Sequence, residues 1–206
     1  MPKGRKTEAA ILEKLGIKQL NEMQLSSRKA IDSNASIIIH SPTGSGKTLA
    51  FLLPILAALD PKIESIQVLI LVPSRELALQ IESVVRDMGS GYKANAIYGG
   101  RTGQKDKIDL QHPPAILIGT PGRIADRIRR GNIDTSGIRT LVLDEFDKSL
   151  EIGFEEDMKE ILFSLENLDK RILTSATRLA EIPRFVGLEE AVVLDFSNEN
   201  ASKLKM

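Results

Sequence analysis

The stretch best equipped for chemistry runs Ser41-Pro42-Thr43-Gly44-Ser45-Gly46-Lys47-Thr48 and leads straight into the apolar run Leu49–Leu59. Gly44 and Gly46 let backbone amides turn inward around an anion, and a helix starting there points its positive end at the same charge. A nucleoside triphosphate fits this phosphate loop. Lys47 would reach the β- and γ-phosphates, while the Thr48 hydroxyl would ligate magnesium. Ser41 stands where the GxxxxGK[ST] pattern opens on glycine, and Thr43 and Ser45 complete the turn. Glycine-rich turns before helices are common, so the reading rests on strand, Gly-Ser-Gly-Lys-Thr and helix in that order.

Farther along, the apolar run Arg139–Leu143 ends in Asp144-Glu145-Phe146-Asp147. Unpaired carboxylates beside a core are costly, so this pair needs a reason. Magnesium supplies one: Asp144 can hold the ion through water, and Glu145 can orient or deprotonate the water that attacks the γ-phosphate. On its own an Asp-Glu pair at a helix start reads more often as capping and dipole compensation. The phosphate loop upstream reverses that balance.

These groups need a scaffold. Short apolar runs bounded by turn residues recur at Ser36–His40, Gln67–Val72, Ala94–Tyr98, Ala115–Gly119, Arg139–Leu143, Arg171–Thr174 and Ala191–Phe196. They predict seven buried strands. Amphipathic stretches such as Leu77–Met88, Gly122–Arg130 and Phe154–Leu165 lie between them at helical spacing. The alternation predicts an α/β fold, a three-layer parallel sheet with helices on both faces, whose ligands sit at the carboxyl ends of the strands. At 206 residues the chain suits one such domain, with 42% hydrophobic residues for its core. Lys and Arg total 28 against 28 Asp and Glu, so contact with nucleic acid must come from local donors and not from net charge. Cysteine is absent and the two histidines are far apart, which excludes disulfides and thiolate metal sites and fits a reducing cytosol. No run reaches membrane-spanning length, and the chain is expected to be soluble, cytoplasmic and monomeric.

In order along the chain, Gly16–Gln24, Ser41–Thr48, Pro73–Gln80, Gly99-Gly100, Thr120–Arg123, Asp144–Asp147 and Ser175–Thr177 resemble the motifs of the first RecA-like domain of DEAD-box RNA helicases. The resemblance implies a RecA-like phosphate-loop NTPase domain that uses ATP and magnesium, binds single-stranded or duplex RNA, and works with a second RecA-like domain. It implies that Gln24 reads adenine, a task for which a carboxamide can pair bidentately with the base edge. Pro73, Arg75, Gly99, Gly100, Thr120, Gly122 and Arg123 would be the RNA-facing set, since glycines permit close backbone approach and arginines pair with phosphate. For Arg75 and Arg123 a salt-bridged surface role is the alternative. Asp147, Ser175 and Thr177 would couple the ATP site to RNA, although hydroxyls beside a carboxylate also cap strand ends. Three parts are expected: residues 1–26 carrying the Gln24 element, 27–196 as the ATP-binding domain, and 197–206 as a tail or linker.

Three departures stand out. The family usually carries an aromatic residue upstream of the Gln24 position that stacks on adenine, and Thr7 and Glu8 occupy that region here. Leu20-Asn21 replaces the family's Pro-Thr, and Phe146 replaces the alanine of the acidic motif, facing either the core or a domain interface. They motivate an alternative to helicase action, an RNA-binding scaffold derived from a helicase. Retention of Lys47, Thr48, Asp144 and Glu145 argues for the enzyme. His40 reads as a hydrogen-bonded residue at the margin of the core, and Arg127, Arg129 and Arg130 as cations at a helix C-terminus.

Overall fold

A computed structural model describes residues 6–100, 102–179, 181–188 and 190–197. The basic start, residues 1–5, and most of the expected tail, residues 198–206, lie outside the described residues.

Seven strands form one sheet: β1 (Ser36–His40), β2 (Val68–Leu71), β3 (Ala94–Ile97), β4 (Ile116–Gly119), β5 (Thr140–Leu143), β6 (Lys170–Ser175) and β7 (Val192–Asp195). Their spatial order is β3-β4-β2-β5-β6-β1-β7, and every pairing is parallel. Alternation along each strand divides the core in two. Ile37, Ile39, Val68, Ile70, Ile116, Ile118, Val142 and Ile172 belong to one apolar cluster. Ile38, Leu69, Leu71, Leu117, Leu141, Leu143 and Leu173 belong to the other.

The first face is covered by α1 (Glu8–Lys14), α2 (Glu22–Ser33), α3 (Lys47–Ala58) and α4 (Arg75–Met88), through residues such as Ile11, Met23, Leu52 and Ile81. Helix α4 shows why. Ser74 caps its first turn by accepting from the Leu77 amide at 3.2 Å, and Ala78, Ile81, Val85 and Met88 form the buried stripe. It stops at Gly89, whose φ of 59° suits the left-handed C-terminal turn. On the second face lie α5 (Gly103–Gln111), α6 (Pro121–Arg129), α7 (Phe146–Ile152) and α8 (Glu155–Phe163), with Ile124, Phe146, Met158 and Ile161 facing the sheet.

Six strands are buried as expected; β7 is not. It is an edge strand in which Leu194, like the following Phe196, packs against the first core cluster while Val193 is 56% exposed. An apolar run carries no signal that distinguishes an edge from a centre.

Parallel strands present all their carboxyl ends on one side. The ends of β1, β5 and β6 are neighbours there, and so are those of β2, β4 and β3. The sheet order thereby sorts the motifs into two groups that the linear sequence interleaves.

Candidate functional site

At the end of β1 the chain turns through Ser41 to Gly46 into α3, and both glycines take left-handed φ angles, 81° for Gly44 and 92° for Gly46. The φ of Gly46 strains any residue with a side chain there, and a Cβ would also lie 2.5 Å from Gln24 Nε2, so that carboxamide would have to shift off the loop. Lys47 is buried and folded back on the loop, donating from Nζ to the Ser41 carbonyl at 2.6 Å and the Pro42 carbonyl at 2.8 Å. Burial lowers the pKa of its ammonium from the ordinary lysine value, against the upward pull of Asp144 and Glu145. Ser41 Oγ donates to Ser45 Oγ at 2.7 Å.

Helix α2 grips the same loop from the other side. Asn21 and Gln24 form a reciprocal capping box: the Gln24 amide donates to Asn21 Oδ1 at 2.8 Å, and the Asn21 amide to Gln24 Oε1 at 3.0 Å. The remaining carboxamide donors reach the phosphate loop, Asn21 Nδ2 to the Ser45 carbonyl at 3.1 Å and Gln24 Nε2 to the Gly46 carbonyl at 3.4 Å. The asparagine that departs from the family pattern therefore caps the helix and touches the loop at once.

The acidic motif sits across the cleft. Strand β5 runs one residue past its end, the Asp144 amide donating to the Leu71 carbonyl at 2.9 Å. The chain then breaks at Glu145, the one non-glycine residue with positive φ among the described residues (50°), and enters α7 at once. That conformation costs about 1 kcal/mol. Asp144 is buried, and burial raises its carboxyl pKa, while the Thr174 hydroxyl, donating to Oδ1 at 2.5 Å, acts in the opposite sense. Glu145 is partly exposed and accepts from Lys148 Nζ at 2.7 Å. Phe146 is fully buried in the second core, which settles which way it faces.

Asp147 receives the end of β6. Thr177 donates to Oδ2 from its amide at 3.1 Å and its hydroxyl at 2.9 Å, and Ser175 Oγ bonds the Thr177 carbonyl at 2.6 Å. Burial pushes the Asp147 carboxyl up, but these donors outweigh it and the net shift is downward. Asp144 and Asp147, three residues apart, thus shift in opposite directions.

One cleft of about 410 Å³ is lined by Thr43, Gly44, Gly46, Lys47, Thr48, Asp144 and Glu145, and extends over Leu15, Ile17, Leu77 and Gln80. Among the described residues no cluster of three or more His, Cys, Asp or Glu could cage a metal. Magnesium takes one or two carboxylates and completes its shell with phosphate oxygens and water, and Thr48 and Asp144, which face the same cleft from opposite sides, fit that role.

The second group of strand ends is built differently. Pro73 follows β2, Gly99 and Gly100 follow β3, and Thr120 opens α6 with Pro121 in the first turn. Both glycines are exposed, and a Cβ on either would meet nothing within 4 Å. Arg75 is exposed and bonded to its neighbour Glu76 at 2.6 Å. Arg123 is held from behind: Asp106, fully buried on α5, accepts from Arg123 Nε at 2.9 Å and from Arg127 Nε at 3.0 Å.

A DEAD/DEAH box helicase family model matches residues 21–184. The chain belongs to this family. It corresponds to the N-terminal domain of DEAD-box RNA helicases, and the RecA-like fold agrees. It is 36% identical over 176 residues to the ATP-dependent RNA helicase DeaD of Escherichia coli strain K12, a match covering 84% of this chain and 28% of that protein. Against the DEAD-box ATP-dependent RNA helicase CshA of Bacillus subtilis, identity is 33% over 175 residues, 84% of this chain and 35% of the relative. The chain thus spans about a third of the length of these curated relatives. Two solved structures superpose with a TM-score of 0.82 over 92% of this chain. One is a hypothetical ATP-dependent RNA helicase from Sulfolobus tokodaii (29% identity, 57% of that chain covered), the other a DEAD box protein from Methanococcus jannaschii (27%, 53% covered).

Of the residues singled out in the sequence, the DEAD-box fold brings Lys47, Thr48, Asp144 and Glu145 into one cleft, with Gln24 bonded to its loop and Asp147, Ser175 and Thr177 beside it. Arg127, Arg129 and Arg130 lie at the C-terminal end of α6 as expected, and each is in addition bonded to a carboxylate: Asp106, Glu160 and Asp126 respectively. His40 is buried at the end of β1, but its Nδ1 finds no partner among the described residues. Sequence reasoning missed Thr174 and Asp106. The advance signals were a hydroxyl closing an apolar strand and one of two acids in a weakly periodic helix.

Proposed function

We propose that this domain binds ATP with magnesium in the cleft between the phosphate loop and the Asp144–Glu145 turn, and that in the full-length protein it couples ATP hydrolysis to RNA unwinding. The single observation supporting this most is that residues distant in sequence, Lys47 and Thr48 on one side and Asp144 and Glu145 on the other, line one cleft. Lys47 would leave the Ser41 and Pro42 carbonyls for the β- and γ-phosphates, with the loop amides closing on the same oxygens. Thr48 and Asp144 would hold magnesium, which neutralises phosphate charge. Glu145 would orient or deprotonate the attacking water, and Gln24 would recognise adenine with whatever donor and acceptor capacity the loop leaves it.

RNA would lie along the ends of β2, β4 and β3. There Gly99, Gly100, Gly122 and Thr120 offer backbone and hydroxyl contacts, Pro73 and Arg75 flank them, and Arg123 serves from its ion pair with Asp106. Contacts of this kind read phosphate and sugar, not base sequence. Asp147, Ser175 and Thr177 would couple the ATP site to the RNA-facing strand ends, and the arginines of a second RecA-like domain would complete the charge stabilisation around the γ-phosphate.

The test compares residues 1–206 with the full-length protein. The isolated chain should bind adenine nucleotide weakly and hydrolyse ATP near background with or without RNA, whereas the full-length protein should show RNA-stimulated turnover. Substantial hydrolysis by the isolated chain, or no stimulation in the full-length protein, would overturn the reading.

A further inference from the structure

Thr174 belongs to none of the groups described so far as binding or reacting, yet its hydroxyl touches both working parts of the acidic turn. It is fully buried at the penultimate position of β6. Oγ1 donates to Asp144 Oδ1 at 2.5 Å and accepts from the Glu145 amide at 3.2 Å. A hydroxyl has one proton and can do both at once, so donor and acceptor are each used in a defined direction. Its donor side steadies a carboxylate surrounded by apolar strand residues, where an uncompensated charge would be costly. Its acceptor side holds the amide of Glu145, the one non-glycine residue with positive φ among the described residues and the one that turns β5 into α7.

We infer that Thr174 is a positioning residue for magnesium: it fixes the Asp144 carboxylate, and with it the Glu145 turn, in the orientation needed to hold a nucleotide-bound metal. Outer groups that orient a metal-ligating carboxylate are worth about 10- to 100-fold in metal affinity elsewhere, which sets the scale to expect. The inference rests on the proposed nucleotide site. Valine is nearly the shape of threonine and lacks only the hydroxyl, while serine keeps the hydroxyl and lacks the methyl.

The test uses the 206-residue chain and N-methylanthraniloyl-ADP, titrated once with excess magnesium and once with EDTA. In wild type, magnesium should tighten binding. Thr174→Val should reduce that enhancement by about tenfold, with affinity in EDTA unchanged, and Thr174→Ser should keep it. Thr174→Ala serves as a second hydroxyl-free variant should valine impair folding. Undiminished magnesium enhancement in a folded Val or Ala variant, or its loss in the Ser variant, would overturn the inference while leaving the nucleotide site intact. Failure of the wild-type chain to bind under either condition would overturn both.

Discussion

The two groups of strand ends use their polar residues in opposite ways. Around β1, β5 and β6 many polar side chains are bonded to one another or to the loop: Lys47 to the loop carbonyls, Asn21 and Gln24 to the loop, Thr174 to Asp144, Thr177 to Asp147. The ends of β2 and β4 bury Pro73 and Thr120, and the loop after β3 is open. Gly99 and Gly100 are exposed, and the strong ion pairs of Asp106 with Arg123 and Arg127 lie behind the surface. Chemistry on a phosphate needs donors and charges held at fixed positions before the substrate arrives. Gripping an RNA backbone without reading its sequence needs close approach and a firm support. One sheet supplies both because its order separates the two sets.

The difference can be broken most severely at Glu145. Glu145→Gln should lower RNA-stimulated ATP hydrolysis of the full-length protein by about 100-fold or more, with nucleotide affinity little changed, as a coupled ATPase assay and a binding titration would show. Next in size is a contrast within the open half. A Cβ on Gly119 would lie 2.6 Å from both the Ile97 carbonyl oxygen and Ile124 Cδ1, whereas one on Gly99 meets nothing. Gly119→Ala should therefore destabilise the fold by about 1–3 kcal/mol, measured by urea unfolding, and Gly99→Ala should leave stability within about 0.5 kcal/mol while weakening RNA binding.

A smaller effect separates the two acids. Asp147 is held below its ordinary value of 3.8, so its contribution to stability is present above that value and fades as pH falls through the lower folded value. Thr177→Val removes one donor and lets the folded pKa rise. The variant should lose about 1 kcal/mol at neutral pH, and the gap from wild type should close as pH falls below 3.8. A constant gap across that range would contradict this account of Asp147. Smallest is Arg75→Ala: its partner is exposed, so stability should not move, while the salt dependence of RNA affinity should decrease by about one unit of slope.

Much of this architecture could be read in the sequence, for identifiable reasons. The seven strands fall within about two residues of the apolar runs, since buried strands must be apolar along their length. The phosphate loop and acidic turn were legible because their residue types are unusual in those places. Strand order was not, because pairing between β2 and β5, or β1 and β7, is decided by packing far from either strand. Nor were Thr174 and Asp106: a buried hydroxyl and a buried carboxylate look like any other polar residue until the groups they serve are placed beside them. The edge position of β7 was invisible for the same reason.

The central claim is that a magnesium-bound triphosphate lies between Lys47 and Thr48 on one side and Asp144 and Glu145 on the other. A crystal structure of the chain with magnesium and a non-hydrolysable ATP analogue tests it most directly. The account predicts Lys47 swung from the Ser41 and Pro42 carbonyls onto the phosphates, with the metal beside Thr48 and on the Asp144 side of the cleft. A nucleotide bound elsewhere, or phosphates in the loop with Lys47 still on those carbonyls, would contradict it.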